Sequence, residues 1–161
     1  MAETLHIDDS SKAAHYSSLL PQIKALCDGE NSSIANQANI IAALHHTFGF
    51  FWTGFYWATD ENNLVLGPFQ GPIACTRIEK GKGVCGKAWR DKKTLVVPNV
   101  EDFPGHIACS ADSKSEIVVP LFKNKDVVGV LDIDSDTIGT FDEIDKKHLN
   151  TLCQWIGEHI V

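Results

Sequence analysis

Apolar residues recur every three or four positions over two early stretches, then every second position, and return to the longer period near the end of the chain. Ala14, Leu19, Ile23 and Leu26 predict a first helix over Ser11–Leu26, with Pro21 expected to kink or restart it and Asp28-Gly29 to end it. Ile34, Ala38, Ile41 and Leu44 predict a second over Ser33–Phe48, with Ser32 or Ser33 as N-cap and Gly49 just past its end. From Phe50 the pattern becomes aromatic and strand-like. Phe50–Ala58 and Leu64–Phe69 flank the turn Asp60-Glu61-Asn62-Asn63, and Ile73–Ile78 reads as a third strand. Gly81-Lys82-Gly83 breaks that run, Val84–Asp91 fits a short helix, and Thr94–Val97 is a brief strand stopped by Pro98. Asn99–Ser113 has no period, and a loop of that length in a compact domain usually serves function. Glu116–Phe122 and Asp126–Asp134 form the clearest hairpin, closed by Lys123-Asn124-Lys125. A last helix, Phe141–His159, carries Ile144, Leu152, Ile156 and Ile160 on one stripe, with Thr140 and Glu143 as a capping box. The order predicts an α+β fold. Its mostly antiparallel sheet has the N- and C-terminal helices on one face and a loop-covered pocket on the other.

Composition narrows the class. With 161 residues, 43% of them hydrophobic, the chain is sized for a single domain over 1–161 with one substantial core, residues 1–10 being polar and loose. A net charge of −7 without clustered Lys and Arg argues against nucleic acid. The opening Met-Ala-Glu-Thr-Leu-His-Ile has neither a basic start nor an apolar run, and no stretch is long enough for a membrane helix. No membrane partner and a cytoplasmic location are therefore expected. Five cysteines, an odd number, do not read as a static disulfide framework, and their spacing matches no structural zinc pattern.

Three of these cysteines have distinctive surroundings: Gly71-Pro72-Ile73-Ala74-Cys75, Gly83-Val84-Cys85-Gly86 and Gly105-His106-Ile107-Ala108-Cys109. Cys109 lies in the long loop near His106, whose imidazolium would stabilise a thiolate; the alternative is a small hydrophobe closing the loop. Cys75 shares a predicted strand face with Ile73, which suits a buried structural thiol equally well. Cys85 sits between glycines that serve either a ligand's close approach or a plain turn. Cys27 and Cys153 read as core. Asp132 and Asp134 alternate with Leu131 and Ile133, so both point to one side, and Glu116 opens the paired strand. Buried together they require a cation or a proton. Exposed strand ends are the plain alternative, and calcium is disfavoured by the lack of an EF-hand loop. Trp52 and Tyr56 face opposite to Phe55 and Trp57, so one aromatic face is core and the other is free to line a pocket. The adjacent His45 and His46 diverge on their helix and suit no joint metal site.

Taken together, Gly67–Gly71 with Ile73-Ala74-Cys75, Gly81–Gly86, Gly105–Cys109, Ser115–Leu121 and Gly129–Ser135 resemble the free methionine-(R)-sulfoxide reductases, which are stand-alone GAF domains. The likeness runs from about Trp52 to Phe141. It implies that Cys109 is the nucleophile, Cys75 its resolving partner and Cys85 a third cysteine of uncertain role. It further implies that Glu116, Asp132 and Asp134 hold the substrate ammonium and assist protonation of the sulfoxide oxygen, with Trp52 and Tyr56 lining the pocket. No bound cofactor or metal is expected. The implied reductant is thioredoxin, supplied by NADPH through thioredoxin reductase, and dimerisation through the terminal helices is a further implication. The competing readings are a GAF module that senses a small ligand and a thiol peroxidase. The first has no need of Cys75 and Cys109 together, and the second would tolerate loss of the acidic residues.

Overall fold

Two serines start the helical layer. In the computed structural model, which describes residues 4–107 and 109–161, the side chain of Ser11 accepts from the Ala14 N–H and that of Ser32 from the Ala35 N–H. From these caps run α1 (Lys12–Cys27) and α2 (Ser33–Phe48), and Gly49 ends α2 in the left-handed conformation at φ 65°. Pro21 does not interrupt α1: it and Ser17, whose carbonyl it leaves without an amide partner, both lie on the exposed side, where water can take the bond. Of the opening segment expected to be loose, residues 1–3 lie outside the described residues. Residues 4–10 form no helix or strand, yet Leu5 and Ile7 pack on the helical layer and His6 exchanges two hydrogen bonds with Gln22.

The strands are β1 (Trp52–Ala58), β2 (Asn63–Gln70), β3 (Arg77–Glu79), β4 (Leu95–Val97), β5 (Ser115–Lys123) and β6 (Asp126–Ser135), with a short helix α3 (Gly83–Asp91) between β3 and β4. They form one antiparallel sheet of six strands in the order β3-β2-β1-β6-β5-β4. The β5–β6 hairpin turns at Asn124, φ 59°, a conformation Asn tolerates. Pro120 is accommodated within β5 because β4 pairs only with Glu116–Val118, leaving the position of the missing N–H beyond its end.

Alternation along the strands separates two cores. Phe55, Ile117, Val119, Leu121, Leu131 and Ile133 face α1, α2 and the closing helix α4 (Glu143–His159). Trp52, Tyr56, Leu64, Val118 and Val130 face α3 and the loops. The N-terminus of α4 departs from the predicted capping box. Asp142 is the N-cap, accepting from Ile144 and Asp145 N–H, while Asp145 accepts from the Asp142 N–H at 2.9 Å. Asp145 wins this place because it also receives Lys12 Nζ at 2.6 Å and the Tyr16 hydroxyl at 2.8 Å, so its buried carboxylate is fully partnered. Ile144 is consequently 40% exposed, and the packed stripe is Leu149, Leu152, Cys153 and Ile156. Among the described residues no helix is long and apolar enough to cross a membrane.

Gly157 brings α4 against β5: a Cβ there would lie inside van der Waals contact of the Phe122 carbonyl oxygen. Helix propensity alone would make Gly157→Ala stabilising by about 1 kcal/mol. Overpacking against backbone costs about 1–3 kcal/mol, so the net effect is a loss of about 0–2 kcal/mol, toward the upper end because the Phe122 carbonyl is backbone and cannot swing aside. Urea unfolding should show a lower midpoint at unchanged slope. A raised midpoint would mean the helix shifts freely off the strand.

Candidate active site

Register and alternation place the acidic residues together. Glu116 pairs with Asp134 across β5–β6, Trp52 pairs with Asp134 across β1–β6, and Asp132 lies two residues along the same face. Gly54, opposite Asp132, has no Cβ to obstruct the Trp52 indole, which stacks along the strand between Tyr56 and Phe69 at centroid distances of 5.9 and 5.4 Å. From the other side α3 supplies Cys85. Gly83 opens that helix at φ 59°, and Gly86 permits close approach to the Glu79 carbonyl, where a Cβ would collide. The helix is thereby seated so that the Cys85 sulfur and one carboxylate oxygen each of Glu116 and Asp132 all lie within 4.8 Å of one another.

Two segments roof this floor. Trp52 Nε1 donates to the Pro72 carbonyl at 3.1 Å and the Tyr56 hydroxyl to the Cys75 carbonyl at 2.9 Å, so the aromatic wall anchors the Cys75 segment. His106, Ile107, Cys109, Ser110 and Ser113 form the other lip. A disulfide joins Cys75 to Cys109 across the mouth, with Cα atoms 5.5 Å apart, inside the usual range. The cavity, mouth included, measures about 550 Å³ and is lined by all three carboxyl groups, Cys85, Trp52, Tyr56, His106 and Ser113.

Burial dominates the electrostatics. It raises Glu116 and Asp132 well above the carboxylate range, and the neighbouring Asp134 charge adds to the effect in both. Asp134 is pushed up to about 6, again mainly by burial, with the Ser113 hydroxyl and His106 opposing. Ser113 donates to Asp134 Oδ1. Asp132 Oδ1 is a buried oxygen with no hydrogen-bond partner among the described residues. Cys85 is raised strongly by burial and by the surrounding acids, so it rests as a thiol.

Residues 37–161 match the GAF domain family. GAF domain-containing protein A of Dictyostelium discoideum is 62% identical to the chain, covering 94% of it and 96% of the relative. The free methionine-R-sulfoxide reductase of Escherichia coli is 45% identical, covering 88% of this chain and 86% of its own. A solved free methionine-R-sulfoxide reductase from Neisseria meningitidis, in complex with its substrate, superposes with a TM-score of 0.96 at 48% identity, covering 99% of this chain and 96% of that one. The chain belongs to the free methionine-R-sulfoxide reductase family of GAF domains.

In this GAF domain the residues singled out from sequence converge on one cavity: Cys75, Cys85, Cys109, Glu116, Asp132, Asp134, Trp52 and Tyr56 all border it or bridge its mouth. Two local expectations fail. The strand predicted over Ile73–Ile78 is only Arg77–Glu79, and Ile73 is 91% exposed rather than sharing a buried face with Cys75. Gly71, at φ 125°, and Pro72 cannot continue the β2 ladder, so the apolar Ile-Ala-Cys run crosses the mouth as a loop. His106 does not supply an imidazolium for Cys109. Its Nε2 lies 3.4 Å from Glu116 Oε2, and burial holds the ring below its ordinary value; Glu116 is itself kept protonated, so the contact is a neutral one. Ala108, within the Ile-Ala-Cys109 triplet, lies outside the described residues. Ser113 was not singled out from sequence. Its position three residues before Glu116 carries no pattern by itself, and only the fold brings it to Asp134.

The remaining thiols Cys27, Cys85 and Cys153 are buried. A thiol reagent applied to the native disulfide form should therefore find no fast-reacting class, and reduction should create a fast class of two, Cys75 and Cys109. A fast class present before reduction would contradict this arrangement.

Proposed function

We propose that this protein reduces free methionine-R-sulfoxide to methionine through a thiol–disulfide cycle in which Cys109 attacks and Cys75 resolves. The observation that carries the reading is the Cys75–Cys109 disulfide lying over a pocket floored by three buried carboxyl groups. A dithiol at the mouth provides the two electrons, and the acidic floor provides a seat for a free α-ammonium, which a peptide-bound residue lacks. Relatives named free methionine-R-sulfoxide reductase, and the substrate-bound Neisseria structure, support the same assignment.

In this cycle the Cys109 thiolate attacks the sulfoxide sulfur while Asp134, held near neutrality as an acid, protonates the oxygen. The substrate's sulfur–oxygen bond breaks as the protonated oxygen passes to the Cys109 sulfur, so methionine leaves reduced by two electrons and Cys109 is left oxidised as a sulfenic acid. The Cys75 thiol condenses with it, releasing water and forming the disulfide. An external dithiol of the thioredoxin class, itself reduced by NADPH through its reductase, returns both thiols by exchange. Glu116 and Asp132 receive the ammonium, one of them giving up its proton as the cation arrives, while Trp52 and Tyr56 wall the thioether and its methyl. The chain acts in this reading as a single catalytic GAF domain.

The test is NADPH consumption with thioredoxin, its reductase and free methionine-R-sulfoxide. Cys109→Ser should abolish turnover; activity surviving that change removes Cys109 as nucleophile. Cys75→Ser should release one methionine per chain and then stall, and sustained turnover would strip Cys75 of its role. Because only the protonated form of Asp134 donates, kcat/KM should fall as pH rises through about 6. Asp134→Asn should lose that limb together with roughly 10²–10⁴-fold of the rate. An unchanged limb in the variant would place the proton elsewhere.

A further inference from the structure

The proposed cycle leaves Cys85 without a task, yet its thiol is packed into the acidic floor rather than into ordinary core. We propose that Cys85, Glu116 and Asp132 form a binding site for a borderline-soft divalent cation of the zinc and cadmium class.

The three ligands come from different rigid elements, α3, β5 and β6, so their placement is fixed by the fold and not by sequence spacing. One donor atom from each already lies within 4.8 Å of the other two. Tetrahedral ligation at ~2.0–2.3 Å needs donors ~3.5 Å apart, so closing on an ion takes a contraction that side-chain rotation can supply. Asp132 is only 7% exposed, and its Oδ1 has no hydrogen-bond partner among the described residues, a buried oxygen that a cation would satisfy. A thiolate beside two carboxylates selects zinc or cadmium over magnesium and calcium, which take oxygen ligands in larger number. The cavity opens directly onto the cluster, so the fourth position falls to water or to His106 beside Glu116. Cys85 must lose its proton to bind, which the ion's charge drives.

The ion and the substrate ammonium would occupy the same floor, so metal is expected to inhibit reversibly and a chelator to restore activity. That consequence rests on the function proposed above; the site itself does not.

The disulfide form of the full chain, free of reductant, isolates the question, since Cys75 and Cys109 cannot then bind metal. Titration with cadmium should raise a thiolate-to-cadmium charge-transfer absorption in the ultraviolet that saturates at a single ion per chain. Cys85→Ser should abolish the absorption. Asp132→Asn, which keeps the thiol and nearly the same shape, should weaken binding by at least about tenfold, since even outer-shell partners of metal ligands are worth that much. No absorption in the parent protein, or full absorption in Cys85→Ser, overturns the site. Tight binding that free methionine-R-sulfoxide fails to displace upholds the site and counts instead against the ammonium seat.

Discussion

Glu116, Asp132 and Asp134 are held side by side by antiparallel register on a face of the sheet that α3 and the mouth loops cover. Among the described residues the only basic side chain paired with any of them is His106, which burial keeps neutral. Two like charges 4 Å apart repel by about 4 kcal/mol at an effective dielectric near 20, and withdrawing each from water costs several kcal/mol more. All three cannot be ionised together in an otherwise neutral pocket. Protons fill the deficit in the free protein, as the raised values of all three groups reflect. A ligand that brings positive charge relieves the same tension, and in the proposed function this asymmetry is what favours the substrate ammonium.

Such a face is tolerable only because the opposite face of the same strands is secure. Ile117, Val119, Leu121, Leu131 and Ile133 alternate with the acids and are buried under α1, α2 and α4. A one-residue slip of β5 or β6 would exchange the two sets, placing carboxylates under the helices and isoleucines in the pocket. The Lys12–Asp145–Tyr16 contacts tie α1 to α4 across that layer, so the register is locked from behind. The strain stored in the pocket is thus borne by an apolar layer that takes no part in binding.

The same logic explains what could be read from sequence. Glu116–Phe122 and Asp126–Asp134 were legible because alternation, a polar turn and β-branched residues agree there, and the observed pairing puts the acids where alternation requires. The three cysteine settings were legible as chemistry but not as geometry. Ile73-Ala74-Cys75 has a strand's composition, yet Gly71-Pro72 before it decides its path. At α4 the sequence predicts Thr140 with Glu143, and the pairing of Asp142 with Asp145 in their place comes from Lys12 and Tyr16, more than a hundred residues away. The missing amide of Pro21 predicts a kink, but the exposure of its side of α1 decides that none is needed. Ser113 and the contact of Cys85 with the acids depend on elements meeting in space, which no local pattern encodes.

The two halves of the disulfide are held unequally. Cys75 belongs to a segment fastened to the sheet by the Trp52 indole and the Tyr56 hydroxyl, bonds that do not depend on the S–S link. Among the described residues, the Cys109 and His106 amides bond within their own segment, to the Ile107 and Phe103 carbonyls, while the loop meets the sheet through the side chains of His106 and Ser113, at Glu116 and Asp134. Breaking the disulfide therefore removes a long-range restraint from the Cys109 side while leaving Cys75 in register with the wall. A nucleophile has to reach toward a substrate sulfur and then return to its partner, whereas a resolving thiol has only to be found in the same place. In the proposed cycle, the fastening at Trp52 and Tyr56 suits Cys75 to the resolving role and leaves the reach toward substrate to Cys109.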